Sequence, residues 1–157
     1  TTTQRALSIL RNKGWSIAFT VVGKISDKQE YRKIMKDPNT FYKPAQPKEA
    51  LIGIYRENDI FIMPSKHESF GLVYAEAMSQ GLPVIYTRGE GFDKQFEEGV
   101  VGYSVDCHSP IEIASAILRI VEDYESMQQR CVESCQRFYW RNIITKYVAI
   151  YKGVSDK

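Results

Sequence analysis

Four short runs of β-branched and aromatic residues constrain the fold of this chain most, because they recur between segments of helical character. The runs are SIAFTVVG at 16–23, DIFIMP at 59–64, LPVIYT at 82–87 and VGYSV at 101–105. Their apolar residues are nearly continuous, a pattern that is typical of strands buried on both faces of a parallel sheet. We therefore predict a parallel sheet at the centre of the molecule.

Helical segments separate and follow these runs. They occupy residues 1–14, 29–37, 47–58, 110–124 and 141–153. The first ends at Gly14, the second stops before Pro38, and the third opens with Pro47 in its first turn, as helix boundaries commonly do. The alternation predicts an α/β fold, a Rossmann-like doubly wound parallel sheet with helices on both faces. Since the 157 residues contain no repeat or linker, we assign 1–157 to a single domain.

The last helical segment carries an aromatic and aliphatic stripe formed by Ile143, Tyr147, Ile150 and Tyr151. The stripe belongs either to the core of this domain or to a surface that a further domain covers. Exposure of the aromatic side chains would favour the second interpretation.

The charge is unevenly distributed along the chain. Residues 1–50 carry ten Lys/Arg against four Asp/Glu, whereas residues 51–157 carry eleven against fifteen. The basic third suits phosphates or an anionic membrane surface, and a solvated face without a partner explains it equally well. Because no Lys/Arg run is interleaved with aromatic residues, we expect no nucleic-acid partner.

Two further absences in the sequence bear on location and on metals. No apolar run approaches the ~20 residues that span a bilayer, and the first residues lack the layout of a signal peptide. We expect a cytoplasmic protein, with peripheral association at the inner face of the membrane as a further possibility. The cysteines Cys107, Cys131 and Cys135 lack metal-type spacing, so we expect free thiols and no metal site.

The stretch PSKHESFGLVYAEAMSQGLPVI, residues 64–85, follows the second predicted strand and places Glu68 and Glu76 on either side of a helix start near Gly71. Ligands of open parallel sheets bind beyond the carboxyl ends of the strands. Gly71 allows a ligand to approach the backbone, and the free N–H groups of a helix start attract phosphate or carboxylate. The sequence therefore predicts an anion site at this position.

Glu76 lies about 40° from Leu72 around a helix whose other residues are mostly apolar, so we expect a buried helix. An ionised carboxylate there needs hydrogen-bond donors, and the adjacent hydroxyls of a ribose would supply them. The alternative is purely structural: Glu68 caps the helix, and Glu76 pairs with a neighbouring Lys or Arg.

This stretch resembles the signature of the retaining GT-B glycosyltransferases of family 4, also called group 1, which includes many bacterial sugar transferases. The shared features are a Pro-Ser loop, the two glutamates with seven residues between them, Phe-Gly, Ala-Met and Gly-x-Pro-Val. The resemblance continues through residues 89–106, 109–123 and 138–151 and covers nearly all of the chain from about Ile17. It identifies the chain as the C-terminal, donor-binding half of such an enzyme.

The resemblance implies a role for each matching residue. Glu68 would be the catalytic-site residue beside the transferred sugar, and Glu76 would hold the ribose hydroxyls of a nucleotide-sugar. The remaining substrate-binding positions are Ser69, Phe70, Gly71, Leu72 and Val73. The N–H groups of the last three would face the diphosphate and stabilise the charge on the leaving nucleotide. No cofactor or metal is expected.

The resemblance also implies what lies outside this sequence. The acceptor-binding N-terminal domain and the diphosphate-binding Arg and Lys of the family precede the segment that begins at Thr1, so we expect the isolated fragment to be inactive. Within the sequence, Pro44 stands where the family often has Gly, and Asp93 or Lys94 stands near the usual glutamate of the glycine loop. His67 is a weak candidate for sugar contact.

The implied function is transfer of a sugar from a nucleotide diphosphate donor to a glycan or lipid acceptor, as in polysaccharide biosynthesis. Two alternatives remain at this stage. One is a GT-B glycan synthase or nucleotide-sugar epimerase on the same scaffold, and the other is a non-catalytic interaction domain. Donor binding by the complete protein would distinguish a non-catalytic interaction domain from the enzymes.

Overall fold

The computed structural model describes residues 1–155, with side chains through residue 153. Its strands are Phe19–Val22 (β1), Thr40–Lys43 (β2), Phe61–Ile62 (β3), Val84–Thr87 (β4) and Gly102–Val105 (β5). Its α-helices are Thr2–Arg11 (α1), Lys28–Ile34 (α2), Lys48–Arg56 (α3), Leu72–Ser79 (α4), Pro110–Glu122 (α5), Tyr124–Cys135 (α6) and Trp140–Ser155 (α7). A 3-10 turn, Gln136–Phe138, joins α6 to α7.

Side chains at the predicted boundaries fix several helix starts. Thr1 accepts a hydrogen bond from the backbone N–H of Gln4 and completes a capping box at α1. Asp27 accepts from two backbone N–H groups at the start of α2, and Ser109 caps α5 immediately before Pro110. These helices therefore begin where local chemistry satisfies their first N–H groups.

Every strand pair of the described chain is parallel, which confirms the predicted α/β class. β1 pairs with β2, and β4 lies between β3 and β5. The hydrogen bonds thus form two groups of strands, whereas the sequence suggested a single sheet. The strand β2 was not predicted, because its residues TFYK precede a proline-rich loop; its backbone groups find partners along β1, where Phe19 pairs with Thr40.

The core is built around β4, whose four residues are all buried. α4 packs on α6, α1 packs on α5, and α5 also contacts β4 and β5. The rings of Tyr74, Tyr86 and Phe92 meet beneath the loop that leads into α4, with the centroids of Tyr74 and Phe92 4.6 Å apart. This aromatic cluster supports the loop in which the sequence predicts a site.

The final helix, α7, presents three of the four residues of its predicted stripe to solvent, whereas Ile143 is partly buried. Tyr147, Ile150 and Tyr151 are 55%, 62% and 69% exposed, so these side chains are not part of the core of this domain. Within the described chain, no helix has both the length and the apolar character needed to cross a membrane.

Candidate functional site

The loop between β3 and α4 is held by two short hydrogen bonds, one from the aromatic cluster and one from the end of β4. The Tyr74 hydroxyl donates to the Met63 carbonyl at 2.6 Å, and the Thr87 hydroxyl donates to the Ser65 carbonyl at 2.6 Å. Burial raises the pKa of Tyr74, and the nearby charges of Glu68 and Glu90 raise it further. Tyr74 therefore remains a protonated donor that holds the loop in place.

Gly71 is the N-cap of α4 and adopts a left-handed backbone conformation, with φ of 75°. A Cβ at this position would overlap the ring of Tyr74, so glycine is required for both conformation and space. In the described chain, the N–H groups of Gly71, Leu72 and Val73 have no hydrogen-bond acceptor, and no side chain caps the helix. The start of α4 therefore leaves three backbone N–H groups without an acceptor among the described residues, which is the arrangement that anion binding requires.

The peptide groups of Glu68 are bound on both sides by a neighbouring loop, residues 88–93. The backbone N–H of Glu68 donates to the Glu90 carboxylate at 2.6 Å, and the Glu68 carbonyl accepts from the Gly91 N–H at 2.9 Å. The Glu68 side chain lies against Gly71, with Cγ 3.4 Å from the position of a Cβ there. The Glu68 side chain does not cap α4. The alternative interpretation of Glu68 as a helix cap is therefore wrong.

Glu76 lies in a cleft of about 290 Å³ between α3 and α4. Its side chain is 34% exposed, and Oε1 lies 3.9 Å from Nζ of Lys48 at the start of α3. The expectation of a fully buried helix is therefore wrong. Tyr74, Ala77 and Met78 are buried on one face, but α3 leaves the face of Glu76 open to the cleft.

The rest of the cleft is largely apolar. Leu51, Ile52 and Tyr55 of α3 form one wall, while Leu72 and Ala75 of α4 form another. Burial raises the pKa of Tyr55 to about 12, with a contribution from the charge of Glu76. The cleft thus offers a carboxylate, a neutral phenol and apolar surface within one space, a composition that is common among small-molecule sites.

The other predicted positions lie around the start of α4. Ser69 and Phe70 are exposed, and the Phe70 ring packs edge-on against Phe138 at 5.9 Å. His67 is exposed. Asp93 accepts a hydrogen bond from the Gly89 N–H at 2.8 Å, so it stabilises the glycine loop internally.

The structure places the two glutamates at different ends of the site. Glu76 lines the cleft, and Leu72, the first residue of α4, lines it as well. Glu68 is not among the described residues that line this cleft. It lies in the loop that precedes α4. The free N–H groups of α4 therefore lie between a pocket that holds Glu76 and a loop that holds Glu68.

Sequence reasoning missed Lys48, Tyr55, Glu90 and Gly91. Lys48 and Tyr55 sit seven residues apart on α3, and only the packing of α3 beside α4 brings them to Glu76. A signal for Glu90 was present, since it stands between two glycines in the sequence GEG at 89–91. Glycines on both sides are typical of a backbone that approaches another segment closely.

The described residues contain no group of three or more His, Cys, Asp or Glu that could hold a metal ion. Cys131 and Cys135 are buried and Cys107 is partly exposed, all as free thiols. Their positions agree with the expectation of buried or half-buried thiols. Burial raises the pKa of Cys131 to about 12, so this thiol stays protonated and serves as a packing residue.

Comparison with known proteins identifies relatives along most of the chain. The sequence profile of the family "Glycosyl transferases group 1" matches residues 3–138. The D-inositol 3-phosphate glycosyltransferase of Corynebacterium kroppenstedtii is 33% identical over 124 residues, which are 77% of this chain and 28% of that protein. The protein of the same name from Corynebacterium glutamicum is 38% identical over 114 residues, 71% of this chain and 27% of that protein.

Solved structures show the same fold. The sucrose-phosphate synthase of Thermosynechococcus elongatus superposes with a TM-score of 0.78 at 24% identity, covering 99% of this chain and 43% of that one. Anabaena HepE in complex with UDP-glucose superposes with a TM-score of 0.71 at 21% identity, covering 98% of this chain and 45% of that one. The chain spans little more than a quarter of the length of the curated relatives it matches.

Proposed function

This chain belongs to the glycosyl transferases of group 1, and on that premise we propose that it is the nucleotide-sugar-binding domain of a retaining glycosyltransferase. The whole enzyme would move a sugar from a nucleoside diphosphate to a glycan or lipid acceptor. One observation carries the proposal: a cleft that holds Glu76 reaches Leu72, where α4 begins with free N–H groups.

In this proposal the nucleoside occupies the cleft. The Glu76 carboxylate accepts hydrogen bonds from the ribose hydroxyls, and Leu51, Ile52 and Tyr55 provide apolar surface for the base. The contact between Lys48 and Glu76 does not prevent this. At 3.9 Å, with Lys48 75% exposed, it is a weak ion pair that a ligand can displace at little cost.

The diphosphate lies at the start of α4, where the N–H groups of Gly71, Leu72 and Val73 and the helix dipole attract negative charge. These donors favour the charge that grows on the leaving nucleotide, and we expect no metal to be required. Glu68 contacts the hydroxyls of the transferred sugar and orients it, while Ser69 and Phe70 complete the wall of the sugar site.

The acceptor belongs to the part of the enzyme beyond this chain, because the chain matches only about a quarter of its relatives' length. The relatives named for D-inositol 3-phosphate therefore do not define the acceptor here. The isolated domain is expected to bind donor weakly and to catalyse no transfer, since transfer needs both halves of the cleft.

The proposal is tested with the full-length protein that carries this sequence, UDP-sugars as the first donors, and glycan and lipid acceptors. UDP is the first choice because HepE binds UDP-glucose. We expect Glu68→Gln to lower kcat by about 100-fold or more and to leave the affinity for UDP nearly unchanged. Proton NMR of the product should show the anomeric configuration of the donor.

Three results would count against the proposal in different ways. A product of opposite anomeric configuration would overturn the retaining mechanism. Full activity of Glu68→Gln would remove Glu68 from the sugar site. Nucleotide-sugar binding without transfer to any acceptor, with release of an epimerised nucleotide-sugar, would favour an epimerase on the same scaffold.

A further inference from the structure

We propose that Glu90 is a positioning residue that sets the place of Glu68 in the donor-sugar site. This inference rests on the function proposed above, because it concerns how Glu68 comes to lie beside the sugar. It assigns a role to a residue that the sequence motif does not include. The inference is based on two hydrogen bonds that Glu90 and Gly91 make to the backbone of Glu68.

Two residues of the loop 88–93 contact the backbone of Glu68. The Glu90 carboxylate accepts from the Glu68 N–H at 2.6 Å, and the next residue, Gly91, donates its N–H to the Glu68 carbonyl at 2.9 Å. Successive residues of one loop thus bind both peptide groups of a single residue in another. Such a pair of contacts fixes both the distance and the orientation of Glu68.

The loop that carries Glu90 approaches residues 68–70 closely. A Cβ at position 91 would overlap the Ser69 carbonyl and lie 2.7 Å from the Phe70 nitrogen. Gly91 is therefore required by space, since its backbone φ is not in the left-handed region. The loop of Glu90 is built to lie against residues 68–70.

Hydrogen bonds and a buried ring hold the loop that carries Glu90 in place. The Glu90 N–H donates to the Thr87 carbonyl at the end of β4 at 3.3 Å, and Asp93 binds the Gly89 N–H. Phe92, only 1% exposed, anchors the loop in the aromatic cluster. A continuous path of contacts therefore runs from the central strand to Glu68.

The reach of the acceptor oxygen matters here more than its charge. Glutamine has the same length as glutamate and can accept from the Glu68 N–H through its carbonyl oxygen. Aspartate keeps the charge but is shorter by one methylene, so its carboxylate falls short of the N–H. Positioning therefore predicts that glutamine preserves function better than aspartate does.

The test measures kcat, the KM for the donor, and the affinity for UDP in the full-length protein with Glu90→Gln, Glu90→Asp and Glu90→Ala. We expect Glu90→Asp and Glu90→Ala to lower kcat by about 10- to 100-fold, while UDP affinity changes less than about twofold because the Glu76 cleft is separate. Glu90→Gln should retain most of kcat. Glu97→Ala, an exposed residue whose side chain makes no hydrogen bond in the described chain, is the matched control.

The outcomes separate this inference from the proposed function. Unchanged kcat in Glu90→Ala, together with a loss in Glu68→Gln, would overturn the positioning role alone. Equal losses in Glu90→Gln and Glu90→Ala would also overturn it, since charge rather than reach would then matter. Full activity in Glu68→Gln would overturn the proposed function itself. If Glu90→Ala fails to fold, the comparison of kcat between Glu90→Gln and Glu90→Asp still tests the positioning role.

Discussion

At the scale of single residues, the site depends on positions where only one side chain suits the backbone. Gly71 is the clearest case, because its left-handed conformation and its contact with the Tyr74 ring both exclude a Cβ. We expect Gly71→Ala to lower the free energy of unfolding by about 1–3 kcal/mol. It should also weaken nucleotide binding, because the first N–H groups of α4 would move.

Urea unfolding of the variant and of a matched glycine substitution tests this prediction. Gly53 lies within α3, is exposed, and has open space where the Cβ of an alanine would stand. Gly53→Ala should therefore leave stability unchanged or raise it by up to about 1 kcal/mol. Equal unfolding midpoints for the two variants would contradict the requirement for glycine at position 71.

At the scale of elements, Asp37 links α1 to the turn before β2. It forms an ion pair with Arg11 at 2.8 Å and accepts hydrogen bonds from the Asn39 N–H and the Thr40 hydroxyl. Burial acts to raise the pKa of Asp37, but these contacts outweigh it and the pKa is lowered. The ionised form is therefore favoured in the folded state.

The lowered pKa predicts a specific pH dependence. The stabilisation is fully present above the unfolded pKa, near 3.8, and is lost as pH falls through the folded pKa. At pH 7, Asp37→Asn should cost about 1–3 kcal/mol, and its difference from the unmodified protein should shrink below about pH 4. Urea unfolding at several pH values measures this, and a difference that stays constant down to about pH 2 would contradict it. The exposed Asp59→Asn serves as control.

Most strands could be predicted from the sequence, whereas features that depend on the packing of two elements could not. All four predicted strands lie where the apolar runs placed them, because a strand buried in a parallel sheet needs continuous apolar residues. β2 was missed, since TFYK is short and depends on β1 for its partners. The open face of α4 was missed for a similar reason: helical periodicity does not reveal that α3 leaves a cleft beside Glu76.

The contact between Glu90 and Glu68 could not be predicted from the sequence either, because the two residues are far apart along the chain. Glu90 lies 22 positions after Glu68 along the chain, and the parallel strands β3 and β4 bring the loops at their ends together. The motif indicated Glu68 and Glu76 because their spacing is local. The support of Glu68 depends on strand order, which the sequence alone did not establish.

At the scale of the whole molecule, the chain matches little more than a quarter of the length of its curated relatives, and we propose that it is one part of a larger binding system. In that proposal the chain supplies a cleft for the nucleoside, a helix start for the phosphates and a glutamate held by a neighbouring loop, while the acceptor contacts lie elsewhere. The exposed residues of the α7 stripe lie outside the core of this domain. Their exposure is consistent with a surface that another part of the protein covers. The proposed function depends first on the binding of the donor's ribose by Glu76.

Calorimetric titration with UDP, GDP and ADP tests that claim most directly, using the full-length protein with Glu76→Ala and Glu49→Ala. Glu49 is exposed in the first turn of α3, and its removal should have no effect. One nucleotide should bind, and Glu76→Ala should weaken it by about 1–3 kcal/mol, or roughly 5- to 150-fold. Equal affinity of Glu76→Ala and the unmodified protein for that nucleotide would contradict the assignment of the cleft to the donor.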